Sequence, residues 1–269
     1  MTSTSATELP GGVRFSVQDH IATVTIDRPE RRNAMTFETL ASLREAVELA
    51  RTAEDVRVLV LTGAGEEAFC AGADLRGLRG EEVDAEEAHR GRGYLAELLQ
   101  ALWSSGIPTI ARVRGFALAG GFGLAMACDI VVASDDAVFG APEVAVGLWP
   151  YMITVPLTRA MPPKIALELM MTGRRVAATE ARELGFVNRV VPIDDLDDTV
   201  AEIAGSIATQ SPAAIRLGRN SFYQVLGTPA DQALPLLQAT LSVATGTADA
   251  REGVAAFVEK RRPVWGLRP

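Results

Sequence analysis

A chain of 269 residues with 48% apolar side chains is long enough for one large domain or two small ones with a sizeable core, and its composition is that of an ordinary soluble globular protein. Lys and Arg total 26 against 34 Asp and Glu, a formal charge of −8, and no dense basic patch interrupts the sequence; a broad nucleic-acid-binding face is thereby excluded. A small anionic ligand stays compatible, because a few arginines and one helix N-terminus hold a phosphate without changing the overall balance.

The first twelve residues, MTSTSATELPGG, carry neither a basic nor an apolar leader segment and read as a short mobile tail. Residues 12–17 and 20–27 alternate or run β-branched, predicting two strands joined by a tight turn at Gln18-Asp19. Thr36 is placed to cap a helix, with Thr39 three residues on and Leu40, Leu43, Val47 and Ala50 at helical spacing through residue 53. The run RVLVL at 57–61 reads as a buried strand ending in a turn over 62–65. Residues 76–93, rich in Glu and Gly, read as a mobile loop leading into a helix over 94–103. Strands are expected at 108–113, 129–134 and 137–139, with a helix between the first two, so helices cross between strands in α/β fashion. From residue 154 onward nearly everything reads helical except 187–191, with periodicity over 165–171, 196–208, 213–225, 233–244 and 248–260. The expected organisation is a tail (1–12), a core (13–195) and a helical region (196–269) packed on the core or on a neighbouring subunit. No run approaches the ~18 apolar residues of a membrane-spanning helix, so no membrane partner is expected.

The two cysteines, Cys70 and Cys128, lie in separate apolar segments outside any metal-ligand spacing, and read as reduced core residues of a cytoplasmic protein. Two glycine-rich turns stand out: Phe69-Cys70-Ala71-Gly72-Ala73-Asp74-Leu75 and Ala119-Gly120-Gly121-Phe122-Gly123. N–H groups at the start of a helix lack intrahelical partners and carry the positive end of its dipole, so two that converge on one carbonyl oxygen make an oxyanion hole. Close packing of small residues is the other reading of each turn taken alone. Neither turn is a dinucleotide or P-loop signature, no serine-hydrolase elbow occurs, and His20 and His89 read as solvated or structural. Glu143, after Pro142 in an otherwise apolar run, would lose solvation if buried; its pKa would rise and suit it to proton transfer near neutrality, with a surface or helix-start acid as the alternative.

Together these pieces resemble the crotonase superfamily, the enoyl-CoA hydratase/isomerase family. The matching stretches are Asp27-Arg28-Pro29-Glu30 with Asn33-Ala34-Met35, Ala68 through Leu75, Ala117-Leu118-Ala119-Gly120-Gly121 with Ala127-Cys128-Asp129-Ile130, and Phe139 through Gly147. Leu169 through Gly173, Leu184 through Val191 and Glu252 through Phe257 agree as well, so the likeness covers roughly residues 13–262. It implies a spiral of ββα units with a helical C-terminal region that mediates trimer formation, often as a dimer of trimers. The ligand it implies is an acyl-CoA thioester, with no cofactor or metal besides the coenzyme A of the substrate.

By position in the family, the N–H groups of Ala73 and Gly120 form the oxyanion hole and Glu143 is the acid/base. Ala71, Asp74 and Leu75 match the strip along the CoA adenine and pantetheine, Arg32 and Ala34 the segment flanking the nucleotide. Phe257 and Lys260 match positions near the acyl pocket and CoA phosphates of a neighbouring subunit, and Trp149 and Tyr151 are expected to shape the acyl pocket, with core packing as the alternative. One departure stands out. Two-carboxylate hydratases of the family carry a glutamate three residues after the oxyanion glycine, and here that position is Gly123. Double-bond isomerisation and one-carboxylate hydration both remain open, as does a non-catalytic acyl-CoA-binding protein of the same fold.

Overall fold

A computed structural model describes residues 6–74 and 85–266. The chain is ordered earlier than its composition suggests: Thr7–Leu9 forms β1, paired antiparallel with β2 (Val13–Gln18), so the expectation of a tail over 1–12 is corrected for residues 7–9. Polar Thr and Glu hide that strand from a hydrophobic pattern, because it lies exposed at the sheet edge. The turn from β2 to β3 (Ile21–Ile26) is Asp19-His20, one residue later than predicted, with both residues at positive φ (49° and 68°). Such a two-residue turn matches the twist of the strands it joins.

Thr36 caps α1 (Phe37–Thr52), its hydroxyl accepting the Thr39 N–H at 3.1 Å, and Leu40, Leu43, Ala46, Val47 and Ala50 form the buried face. β4 (Val58–Gly63) and β5 (Ala68–Cys70) follow, then α2 (Ala85–Ser104), which begins nine residues before the predicted start at 94. Glycines dilute the helical signal there, yet Gly91 is spatially required: a Cβ on it would lie 2.4 Å from the Phe37 ring. The remainder of the expected loop, 76–84, lies outside the described residues. β6 (Thr109–Val113), β7 (Phe116–Leu118), α3 (Gly120–Ala127), β8 (Ile130–Ser134) and β9 (Val138–Gly140) come next. A 3₁₀ turn over Pro142–Val146, α4 (Thr154–Ala160), α5 (Pro163–Thr172), β10 (Arg175–Ala177), α6 (Ala178–Glu183) and β11 (Arg189–Val191) complete the sheets. The last four elements are α7 (Leu196–Ala208), α8 (Pro212–Val225), α9 (Ala230–Thr245) and α10 (Ala248–Glu259).

The strands form two sheets. One has seven strands in the order β1-β2-β3-β4-β6-β8-β11, the other four in the order β10-β9-β7-β5. Each passage of the chain contributes one strand to the large sheet, one to the small sheet and then a helix: β4-β5-α2, then β6-β7-α3. This is the ββα spiral. The central strands of the large sheet pair in parallel and are covered on both faces, which is why RVLVL reads as a continuous apolar run rather than an alternation. Ala22, Val24, Leu59, Leu61, Ala111 and Val113 join the main core with α1, α2 and α3, while Val58, Val60, Ile110 and Val132 meet Leu196, Val200 and Ala204 of α7.

Directly after α3, Asp129 ties three elements together. Its carboxylate accepts the Thr109 N–H (2.7 Å) and hydroxyl (2.9 Å), the Tyr223 hydroxyl (2.6 Å) and the Arg219 Nε (2.7 Å). Arg219 also donates to the carbonyls of Leu102 and Trp103, so α8 is fastened to the end of α2 and the start of β6. The Arg219 side chain is only 8% exposed, and without Asp129 its buried charge would keep carbonyl acceptors but no counter-charge. Asp129→Ala is therefore expected to destabilise the fold by about 3–5 kcal/mol in urea unfolding monitored by circular dichroism.

Candidate functional site

Three parallel strands of the small sheet deliver the three residues singled out for chemistry. β5 pairs in parallel with β7 (Cys70 opposite Ala117), and β7 with β9 (Leu118 opposite Gly140). Ala73, Gly120 and Glu143 each follow within three residues of their strand's last residue, so all three emerge at the same end of the sheet. Strand carboxyl ends are where α/β proteins place their binding groups, because the connecting loops there are free of the ladder.

The two glycine-rich turns are in direct backbone contact. A Cβ on Gly72 (φ +98°) would meet the Ala119 Cβ at 2.8 Å and the Gly120 nitrogen at 3.4 Å; one on Gly121 would lie 2.2 Å from the Cys70 carbonyl oxygen. Tight packing of small residues thus brings the two turns, and the N–H groups they carry, close together. Among the described residues the N–H of neither Ala73 nor Gly120 donates to a protein acceptor. The neighbouring groups are used instead: Met35 donates to the Gly72 carbonyl and Asp74 to the Met35 carbonyl, a bridge that leaves the Ala73 N–H out of the ladder. Gly120 is the first residue of α3, where the N–H has no intrahelical acceptor and the helix dipole is positive. Ala119, just before it, holds φ +51° and ψ −124°, a conformation costly for a residue with a Cβ, and its N–H is clamped to the Gly140 carbonyl at 2.8 Å.

The Ala71–Asp74 turn is braced from below by residues 28–35. The Arg28 guanidinium pairs with the Asp74 carboxylate at 3.0 Å and also donates to the Ala34 carbonyl. Asn33, fully buried at φ +56°, donates to the carbonyls of Ala64 (2.9 Å) and Ala68 (2.6 Å) and accepts the Arg28 N–H (3.0 Å). Neither Arg28 nor Asn33 carries an expected role from sequence, although both sit in the stretch that carries the resemblance. A polar Asn beside a run that must close a turn is the one signal available.

Glu143 lies in the 3₁₀ turn after Pro142. Its Oε2 is buried without a hydrogen-bond partner among the described residues, and burial raises its pKa, partly offset by a backbone hydrogen bond. A carboxyl group so placed ionises at higher pH than an ordinary glutamate and exchanges protons more readily near neutrality. Position 123 is closed. A Cβ there would stand 2.2 Å from Cγ2 and 2.5 Å from Cβ of Ile153, itself 2% exposed ahead of α4. Nothing in the sequence connects residues 123 and 153, which meet only through the packing of α3 on α4.

The other predicted residues are distributed as follows. Ala71 donates to the Arg32 carbonyl at 3.0 Å, and half-buried Ala34 follows in the same bracing segment. The Arg32 guanidinium is exposed and paired with Glu67 at 2.9 Å. Leu75 lies outside the described residues. Trp149 is partly buried against the main core, whereas Tyr151 is 76% exposed. Phe257, 86% exposed, and Lys260, the left-handed residue closing α10, lie on the helical region, whose α10 packs on α8 and α9.

Comparison with known proteins places this geometry in a family. The enoyl-CoA hydratase/isomerase family profile matches residues 16–268. Similar proteins include the mitochondrial enoyl-CoA hydratase domain-containing protein 3 of Rattus norvegicus, 35% identical over 92% of this chain and 82% of its own length. A crotonyl-CoA hydratase of Syntrophomonas wolfei is 34% identical over 91% of this chain and 94% of its own. The crystal structure of human enoyl-CoA hydratase domain-containing protein 3 superposes with a TM-score of 0.88 at 32% identity, covering 97% of this chain and 99% of that one. The chain belongs to the enoyl-CoA hydratase/isomerase family, the crotonase superfamily, and is an enzyme of that kind.

The unpartnered Oε2 has a consequence for stability. With its pKa raised, Glu143 resists ionisation in the folded state, so folding is opposed above the unfolded-state pKa and unopposed below it. Glu143→Gln is expected to raise Tm at neutral pH, and the gain is expected to shrink as pH falls from the raised pKa toward the ordinary carboxylate value and to vanish below it; differential scanning calorimetry across pH measures both.

Proposed function

We propose that the protein acts on an acyl-CoA thioester whose carbonyl oxygen is held by the N–H groups of Ala73 and Gly120, with Glu143 moving the proton. The observation that carries this reading is the joint delivery, by the ends of β5, β7 and β9, of one desolvated carboxylate and two N–H donors without a protein acceptor among the described residues. Polarising the carbonyl acidifies the α-carbon and stabilises the enolate that develops as its proton leaves. The reaction a single carboxylate completes is a double-bond shift. Glu143 removes a proton from C2 of a 3-enoyl thioester, the C2–C3 double bond forms as the C3–C4 double bond is lost, and the Glu143 carboxylic acid, whose proton exchanges with solvent, protonates C4. Hydration by one carboxylate is the second reading, favoured by relatives that are named hydratases.

The same reading assigns Ala71, Asp74, Leu75, Arg32 and Ala34 to the CoA side of the site, with Asp74 acting through its pairing to Arg28. It needs no resident cofactor or metal, because the chemistry rests on hydrogen bonds and one carboxylate. Assembly as a homotrimer or a dimer of trimers is supported by apolar side chains left exposed on the helical region, among them Leu234, Leu241, Val254, Phe257 and Val258. Such assembly would carry Phe257 and Lys260 to a neighbouring subunit's site. Buried unpaired Cys70 and Cys128 support a reducing, cytoplasmic compartment; burial pushes the Cys70 thiol up to about 12.

Incubation with 2-enoyl and 3-enoyl thioesters in deuterated water separates the reactions by mass spectrometry. The expected outcome with the 3-enoyl substrate is deuterium incorporation and double-bond movement with no gain of water, whereas binding without turnover of either substrate would select the non-catalytic alternative. Glu143→Gln is expected to lower kcat by ~10²–10⁴, and full retention of turnover would overturn the assignment. Ala73→Pro removes a donor that the two hydrogen bonds of the Met35 bridge do not use, and is expected to cost ~10²–10³ in rate. The acid limb of kcat/KM is expected above the ordinary glutamate value of 4.5, since a protonated Glu143 accepts no proton.

A further inference from the structure

Gly123 is usually informative only as an absence. In this fold the space beside it is occupied: Ile153 sits where a side chain on residue 123 would begin, with its Cγ2, Cβ and Cα at 2.2, 2.5 and 3.4 Å from the Cβ position. We propose that Ile153 is the residue that restricts the enzyme to single-carboxylate chemistry, by filling with hydrocarbon the volume in which a second carboxylate would stand opposite the substrate. The proposal rests on the assignment of Glu143 as the proton-moving group, and it adds a residue that acts through volume rather than through contact with the reacting atoms.

Three features make the plug firm. Ile153 is buried, and its carbonyl accepts the Leu157 N–H at 3.0 Å as the first turn of α4 begins. The segment before it is folded on itself, with the Thr154 hydroxyl donating to the Pro150 carbonyl at 2.9 Å and reaching the Met170 sulfur at 3.5 Å. Gly123 is an interior residue of α3, and its own N–H is committed to the Ala119 carbonyl at 3.1 Å. Neither backbone is therefore free to retreat, and packed interiors accommodate extra atoms poorly. A hydrocarbon wall also leaves no polar partner on that side for a nucleophilic water, which needs several hydrogen bonds to be held.

The distances dictate the design of the test. Ile153→Ala keeps the Cβ at 2.5 Å and would not clear the site, whereas Ile153→Gly leaves only the Cα at 3.4 Å, an ordinary contact. Gly123→Ala in the native background is expected to lower Tm by roughly 3–10 °C, and to cost little or nothing in the Ile153→Gly background. Additive Tm effects would overturn the shared-volume claim. Gly123→Glu combined with Ile153→Gly is then assayed for water addition to a 2-enoyl thioester in ¹⁸O-labelled water. The expected result is at least a tenfold rise in the ratio of hydration to isomerisation over the native enzyme; an unchanged ratio in the folded double variant would overturn the claim about reaction type. Should the glutamate variant not fold, Gly123→Asp with Ile153→Gly, one methylene shorter, replaces it with the same two outcomes. Gly123→Glu alone folding and hydrating as well as the double variant would also contradict the proposal. Failure of the Glu143 assignment is read separately, from turnover by Glu143→Gln, and leaves the Tm coupling between 123 and 153 standing.

Discussion

Backbone contact between the end of β5 and the start of α3 is the constraint on which the site depends. A Cβ on Gly121 would lie 2.2 Å from the Cys70 carbonyl oxygen, and one on Gly72 would meet Ala119 at 2.8 Å, so no side chain fits between the two turns. That proximity sets the spacing of the Ala73 and Gly120 N–H groups, which have no protein acceptor among the described residues. Everything around them acts to hold the turns still: Asn33 and Arg28 bind the carbonyls beneath the first, and the Gly140 carbonyl clamps the residue before the second. Donors fixed in advance need no reorganisation when charge develops on a bound carbonyl, which is where such arrangements gain over water.

The same region gives up stability. Ala119 occupies a backbone conformation suited to glycine, and Glu143 keeps a buried oxygen without a partner. Costs of this kind persist only where the surroundings over-determine them. Here the surroundings are the parallel pairing of β5, β7 and β9 and the aromatic packing beneath it, where Phe122, Phe139 and Phe186 meet with ring centroids 5.5–5.7 Å apart. The Asp129 network then anchors the far end of α3, so the helix whose N-terminus faces the site is held at both ends.

Long elements with a clear period were legible in the sequence: α1 with its Thr36 cap, the apolar β4 and the amphipathic α7 and α8 all lie close to where their patterns put them. Of the small sheet only β9 was, one residue from the strand expected at 137–139. The strands of that sheet have three residues each, too few to show alternation, and β7 is hidden inside the glycine-rich stretch that draws attention for another reason. The two turns and Glu143 stood out because glycines and a lone carboxylate in apolar runs are locally unusual. Asn33 and Ile153 did not, since their importance comes from partners 30 or more residues away, as in Asn33 to Ala64. A missing side chain is visible in sequence; the atoms that take its place are visible only in space.

Polarisation of a thioester carbonyl by the Ala73 and Gly120 N–H groups, as proposed above, leaves a spectroscopic signature. Isotope-edited infrared spectroscopy of a bound, carbonyl-labelled acyl-CoA measures that polarisation without turnover. The expected result is a shift of the thioester C=O stretch to lower frequency on binding, retained in Glu143→Gln and diminished in Ala73→Pro. A carbonyl frequency in the complex equal to that of the free thioester would contradict it.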